Sequence, residues 1–386
     1  MNAQKVALKV ILISSILMWS TSDEDSWGKN TEEPARIALI APLSGPLSDF
    51  GWSMLRGARI RMGDSKNRGL GESRNARLMV LDDKGDAGGA RRVAESISSH
   101  RSMVAAIGHL TTSCTLAAIP IYNAAQIIHI SPVATGEGMA RVSSPYTFRT
   151  ILSEGEQASS LADYMSRTLR IKSVALVFEE SPLGHVLRNS FLHRSRERGL
   201  SVQSISVEHN PFTNLAKAIT TALAVRAGAI FVAGGPELAA LLVRKLPEDA
   251  RRPPVFGTYR LVSEEFLELA GKYSKGTRAV HPCVWNSNFK RGEDLRENYE
   301  RQFKYRLDWV AIYTYDAIDL LLWAIEKAGA NPHSIRRAVK DLNSAGNALP
   351  GLAGPIWFKP KGSLARDVTV AMYTGSGWKL QQRQQE

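Results

Sequence analysis

Arg36-Ile37-Ala38-Leu39-Ile40-Ala41 runs directly into Pro42-Leu43-Ser44-Gly45-Pro46, and this junction decides the fold class. One charged residue followed by five apolar ones is the length and make-up of a strand buried on both faces. The prolines and glycine that follow stop it. Helical spacing then covers residues 52–65, and Arg77-Leu78-Met79-Val80-Leu81 is a second strand closed by Asp82-Asp83. A helix over 87–99, a strand over 104–107, a helix over 115–125 and a strand over 127–130 continue the alternation. Near-continuous apolar strands alternating with amphipathic helices predict a parallel sheet covered on both faces.

The pattern then restarts. Strands are expected at 173–178, 202–207, 229–233 and 255–257, with helices at 184–198, 214–226, 237–245 and 264–273. A length of 386 residues suits two such lobes. No loose tether separates them. Ser144-Pro145-Tyr146-Thr147-Phe148-Arg149 reads as a short extended hinge strand. After Cys283 come two helical segments, 293–306 and 311–328, then short β-like pieces at 356–358 and 368–373. The fold class is therefore α/β, with two doubly wound parallel-sheet lobes.

At the N-terminus, Lys5 and Lys9 precede an apolar run over 10–19, then Ser20-Thr21-Ser22 and the acidic Asp23-Glu24-Asp25. This is the layout of a secretory signal over residues 1–22, and the run is about half the roughly 20 residues a membrane span needs. Lys and Arg total 49 against 37 Asp and Glu, a net charge of +12. The excess is dispersed, with nothing denser than pairs such as Arg91-Arg92, and nucleic-acid signatures are absent. The two cysteines, Cys114 and Cys283, form no CxxC motif, and the histidines lack metal-ligand spacing. No dinucleotide-binding GxGxxG, Walker A loop, GxSxG elbow or HExxH is present, so no enzyme, metal or cofactor is expected.

In open parallel sheets, ligands sit outside the carboxyl ends of the strands. Four loops lie there, at 42–51, 108–115, 131–136 and 179–184. Gly108-His109-Leu110-Thr111-Thr112-Ser113-Cys114-Thr115 places four hydroxyls in five positions before a helix, more than capping needs and suited to an anion.

These loops resemble a known family. Ala41-Pro42-Leu43-Ser44-Gly45-Pro46 with Asp49-Phe50-Gly51, Asp82-Asp83-Lys84-Gly85-Asp86, Ile107-Gly108-His109-Leu110 and Ser131-Pro132-Val133-Ala134-Thr135 look like the periplasmic leucine/isoleucine/valine-binding proteins. Those are type I solute-binding proteins of ABC importers. The likeness continues through Tyr146-Thr147-Phe148-Arg149, Gly234-Gly235-Pro236-Glu237 and Tyr313-Thr314-Tyr315-Asp316-Ala317 to Gly354-Pro355-Ile356, almost the whole chain. It implies two lobes joined by a three-strand hinge, closing on a small amino acid or related carboxylate. It also implies a periplasmic monomer that partners an ABC permease. A ligand sensor of the same fold is the alternative, since fold does not fix function. The implied crossovers lie near Tyr146, Pro282 and Gly354, giving one lobe of 34–146 with 284–354 and another of 147–283 with 355–380.

By the same resemblance, Thr112, Ser113, Ala134 and Thr135 hold the ligand carboxylate, the Val133 carbonyl faces its ammonium and Phe50 supplies an aromatic wall. The second lobe departs from the family pattern. Leu183 stands where a tyrosine is common, Gly234-Gly235-Pro236 lacks an aromatic, and Tyr259 replaces the acid that pairs with the ammonium. Glu179 or Glu180 is expected to take over that role, or the ligand has no ammonium, because a desolvated ammonium without an anion costs several kcal/mol.

Overall fold

A computed structural model describes residues 34–64, 76–100, 102–142, 144–208, 214–224, 226–249, 252–282 and 290–381. The first sheet holds β1 (Ala35–Ala41), β2 (Ala76–Asp82), β3 (Met103–Ile107), β4 (Ile128–Ser131) and β5 (Thr147–Arg149), in the order β2-β1-β3-β4-β5, all parallel. Between them run α1 (Ser48–Asp64), α2 (Ala87–Ser98) and α3 (Thr112–Ala124). The five residues of β3 are all buried, which is why the strands read as unbroken apolar runs.

The second sheet repeats the winding. Strands β6 (Ser173–Glu179), β7 (Ser201–Val207), β8 (Ala229–Ala233), β9 (Val255–Gly257) and β10 (Arg278–Val280) lie in the order β7-β6-β8-β9-β10. Two antiparallel strands, β11 (Val370–Tyr373) and β12 (Trp378–Leu380), extend its far edge. Its helices are α4 (Glu154–Asp163), α5 (Pro182–Glu197), α6 (Leu215–Ala224), α7 (Pro236–Lys245) and α8 (Glu264–Ala270). The remaining helices, α9 (Lys290–Phe303), α10 (Trp309–Ala328) and α11 (Pro332–Lys340), return to the first lobe. There Ile318, Leu321, Ile335 and Val339 share a core with Ile37, Leu39 and Phe148. Periodicity missed α4 and α11, and it started α3 three residues late because Thr111, not a later hydroxyl, is the cap.

The hinge boundaries shift from those expected. Thr147–Arg149 pairs with β4 and so completes the first sheet, and the chain crosses only afterwards, at 150–153. Phe148 is held there by a T-shaped contact with Phe358, 5.3 Å between ring centroids. Ile356, Phe358 and Leu364 belong to the first lobe's core, and Ser363 bridges Arg149, so the last crossing falls after Leu364 rather than at Gly354. The middle crossing expected near Pro282 borders residues 283–289, which, with Cys283 among them, lie outside the described residues, as do the signal-like residues 1–22. Cys114 is a buried free thiol whose pKa burial raises. No helix among the described residues is long and apolar enough to cross a membrane.

α1 and α10 cross in close contact. A Cβ on Gly57 would stand 2.2 Å from the Ala311 carbonyl oxygen, and the buried Arg61–Asp319 pair, 2.6 Å, ties the same two helices. Gly57→Ala must push the helices apart. It is expected to cost about 1–3 kcal/mol, as overpacking does, seen as a lower urea midpoint at unchanged slope. An unmoved midpoint would contradict this packing.

Candidate functional site

Both sheets reverse their winding beside their first strand, at β1/β3 in one lobe and β6/β8 in the other. The loops leaving these carboxyl ends are where doubly wound folds take ligands.

In the first lobe, β3 leads through His109 into α3. The His109 side chain is fully buried, with Nδ1 2.6 Å from Asp83 Oδ2 and Nε2 3.0 Å from the Tyr122 hydroxyl. His129 lies beside them. Burial first, and then His109, lower its pKa to about 3, so the ring is neutral and its Nε2–H donates to the Gly108 carbonyl at 2.8 Å. This polar cluster underlies the hydroxyl loop. Thr111 caps α3 by accepting from the Cys114 N–H at 3.2 Å, and the Thr115 hydroxyl donates back to the Thr111 carbonyl at 2.8 Å. Two of the four hydroxyls are therefore structural, as capping logic allows.

Thr112 and Ser113 open the helix. Their N–H groups fall in the turn where an α-helix offers no carbonyl of its own. Ser113 is exposed. The Thr112 hydroxyl accepts the Gly136 N–H at 3.0 Å, joining the two first-lobe loops. Gly136 is required for this approach, since a Cβ there would stand 2.4 Å from Thr112 Cγ2. Val133, Ala134 and Thr135 are all buried. Val133 joins the lobe's main core, and Ala134 packs with Ile119 and Met139.

Phe50 lies in the first turn of α1 rather than in a loop, and it is 48% exposed, which excludes core packing. In the second lobe, Leu183 is the second residue of α5 and packs partly into the core under that helix. Glu180 is exposed and pairs with His185 at 3.0 Å on the protein surface. The geometry thus gives no support to Glu180 as the replacement acid.

Tyr259 does reach the other lobe. Its hydroxyl lies 3.3 Å from Thr135 Oγ1, and its ring meets Trp309 of α10 in a T-shaped contact at 5.7 Å. A residue that sequence reasoning missed completes this cluster. Glu154, at the start of α4 and 4% exposed, accepts on Oε1 from Thr135 at 3.2 Å, from the Tyr259 hydroxyl at 3.4 Å and from Arg260 Nη2 at 3.0 Å. Burial raises its pKa above the usual carboxylate range, and Arg260 offsets part of that rise. The Glu154 N–H donates to the Thr135 carbonyl at 3.0 Å, which anchors the first crossing against the first lobe. A cavity of about 1340 Å³ runs from Tyr259 along the hinge, past Leu152, Pro282, Tyr313 and Arg366. Tyr259 is the one predicted site residue on its wall. Among the described residues, no group of three or more His, Cys, Asp or Glu side chains is placed to hold a metal ion.

The family model of the periplasmic binding proteins matches residues 34–377. This chain belongs to that family. It is a type I solute-binding protein of the leucine/isoleucine/valine-binding kind, a family that works outside the cytoplasm. A "Leu/Ile/Val-binding protein homolog 3" of Brucella melitensis is 22% identical over 85% of this chain and 88% of its own length. The "Leucine-, isoleucine-, valine-, threonine-, and alanine-binding protein" of Pseudomonas aeruginosa is 23% identical over 87% of this chain and 88% of its own. Among solved structures, a putative branched-chain amino acid ABC transporter protein from Rhodospirillum rubrum superposes with a TM-score of 0.77 at 22% identity, covering 90% of this chain and 99% of that one. A substrate-binding protein from Desulfitobacterium hafniense, in complex with Leu, gives 0.74 at 18% identity, covering 90% and 100%. A solute-binding protein from R. palustris in complex with benzoate gives 0.66 at 16% identity, covering 90% and 95%. At such identities the superpositions speak for the fold alone.

Proposed function

We propose that this periplasmic binding protein captures a small amino acid of branched-chain type, or a related carboxylate, by hinged closure of its lobes and delivers it to an ABC importer. In this reading residues 1–22 direct export and the chain works as a periplasmic monomer. The observation that carries the proposal is the meeting of loops from both lobes at one place. The Thr112–Gly136 hydrogen bond joins the two first-lobe loops, and Tyr259 comes across from the second lobe to Thr135. The first turn of α3 supplies N–H groups and the positive end of a helix for a carboxylate. Phe50, Tyr259 and Trp309 are aromatic surfaces suited to an apolar side chain. The family's role in ABC import and the amino-acid-binding relatives support the same class of cargo.

The test is a thermal-shift screen of amino acids and carboxylates, because a ligand that binds only the folded state raises the melting temperature by mass action. Small-angle scattering at saturation should then show a smaller radius of gyration as the lobes rotate together. Thr112→Val removes one hydroxyl at nearly constant shape. A charge-assisted hydrogen bond is worth roughly 1.5–3 kcal/mol, so affinity should fall about tenfold or more. A variant that melts early yet binds normally would reduce Thr112 to a tie between loops. Binding with no compaction would remove hinged closure.

A further inference from the structure

Glu154 carries an imbalance that the fold does not explain. Its Oε1 receives four donors, from Thr135, Tyr259 and both Nε and Nη2 of Arg260, at 3.0–3.4 Å. Its Oε2 is buried and accepts no hydrogen bond from any described residue. An ionised carboxylate has about four lone-pair sites shared by its two oxygens, so here one oxygen is crowded while the other keeps its full capacity. Leaving a buried acceptor unsatisfied costs about 1–3 kcal/mol, and more when it is charged. Unsatisfied buried groups of this kind call for a specific explanation.

The position of the residue narrows the explanation. Glu154 stands at the first hinge crossing, between Thr135 of one lobe and Tyr259-Arg260 of the other. It is not a surface charge drawn inward by a neighbouring cation, since its side chain is 5% exposed while Arg260 remains 37% exposed. Two other acids near these loops are committed elsewhere, and Glu179 acts on Arg260. Glu180 pairs with His185 at the surface, and Glu137 accepts the Gly155 N–H at 2.6 Å. Glu154 is thus a buried carboxyl group beside Thr135, paired with Arg260 through Oε1 and with acceptor capacity to spare on Oε2, on an element different from the one that carries Tyr259.

We infer that Glu154 receives the amino group of the bound solute on Oε2, so that the cleft selects amino acids over the matching carboxylic acids that lack the amine. This rests on the solute-capture reading above and deepens it. An ammonium suits the position better than a neutral hydroxyl. A hydrogen bond between charged partners is about twice as strong as a neutral one, and an ammonium leaving water recovers its desolvation cost only beside an anion. Arg260 balances the carboxylate through Oε1 and leaves Oε2 for the solute. The zwitterion brings no net charge, with its carboxylate held at the start of α3.

The experiment uses the full mature protein and calorimetric titration with the common L-amino acids. Each is matched with its 2-hydroxy and its unsubstituted carboxylic-acid counterpart. Wild type should bind at least one amino acid tenfold or more tightly than either counterpart. Glu154→Gln, which is isosteric, should bring the three within about threefold by weakening the amino acid alone. Glu180→Gln, which changes a surface acid paired with His185, should keep the preference. The inference is overturned if wild type binds the counterparts as well as the amino acid, or if Glu154→Gln preserves the preference. Binding of carboxylic acids with no amino acid bound also overturns it, yet leaves solute capture standing. If neither class binds, both readings fall. Should Glu154→Gln not fold, Glu154→Asp, which withdraws the carboxylate by one methylene, should weaken the amino acid and spare its counterparts, and an unchanged preference in that variant overturns the inference.

Discussion

Asp83→Ala is expected to lower the free energy of unfolding by about 3–5 kcal/mol, the cost of removing one partner from a buried charged or hydrogen-bonded pair. Asp83 and His109 are both fully inaccessible, 2.6 Å apart, and Asp83 Oδ1 also accepts the Gly85 N–H at 2.9 Å. Alanine leaves the imidazole Nδ1 and the Gly85 N–H with no carboxylate to meet them, and no water enters easily to replace it. For a chain of this size the melting temperature should drop by on the order of 10 °C. Tyr122→Phe, which removes the hydroxyl at the other ring nitrogen, should cost less, about 1–3 kcal/mol. Urea titration of both variants decides the matter. A loss under 1 kcal/mol for Asp83→Ala would mean that the cluster does not hold this lobe together. His109 leads directly into Leu110-Thr111-Thr112, so loosened packing there should also weaken solute binding at temperatures where the variant remains folded.

The second large effect is one of pH. Asp316 on α10 is buried and accepts the Leu352 and Ala353 N–H groups, each at 2.8 Å, which pins the loop before the last crossing. Burial is the dominant influence and raises its pKa from 3.8 to about 6, with the two N–H groups pulling the other way. The folded pKa therefore lies above the unfolded one, and between them the native state binds more protons than the unfolded state. Stability attributable to Asp316 thus falls as pH rises from about 4 to about 6 and is flat above. At 1.36 kcal/mol for each tenfold change, the fall is about 3 kcal/mol. His129 acts in the opposite sense, since its pKa is depressed and acid favours the unfolded state. Only a comparison isolates Asp316. Wild type should exceed Asp316→Asn in stability by more at pH 4 than at pH 7, the advantage shrinking over this range by about 2 of the roughly 3 kcal/mol. A constant difference across that range would show that Asp316 does not titrate with a raised pKa.

Local patterning carried most of the architecture. The strands beginning at Arg36, Arg77, Val104 and Ser173 were legible because a strand buried on both faces needs a short apolar run and nothing from its neighbours. The family motifs marked the loops at the strand ends, and Thr112, Thr135 and Tyr259 do lie on that edge of the molecule. Other elements answered to partners far along the chain. Thr147–Arg149 is a sheet strand because β4 accepts it and Phe358 packs against Phe148, neither of which is visible in six residues of extended sequence. Glu179 or Glu180 was expected to replace the missing acid from the neighbouring loop, but the first turn of α5 gives Glu180 to His185 and solvent.

What the sequence determined by itself is the two-lobed winding and the family, since both rest on short-range periodicity and on the order of loop motifs. Which acid stands buried where the two lobes meet was decided only in the tertiary structure. Ser153-Glu154-Gly155-Glu156 reads as an ordinary helix start, and it is indeed a capping box. Glu154 becomes something more only when folding brings up Thr135, 19 positions before it, and Arg260, 106 after it. Burial and four donors converging from three residues are properties of that assembly. They change what a carboxylate can do, and no local pattern of residues encodes them.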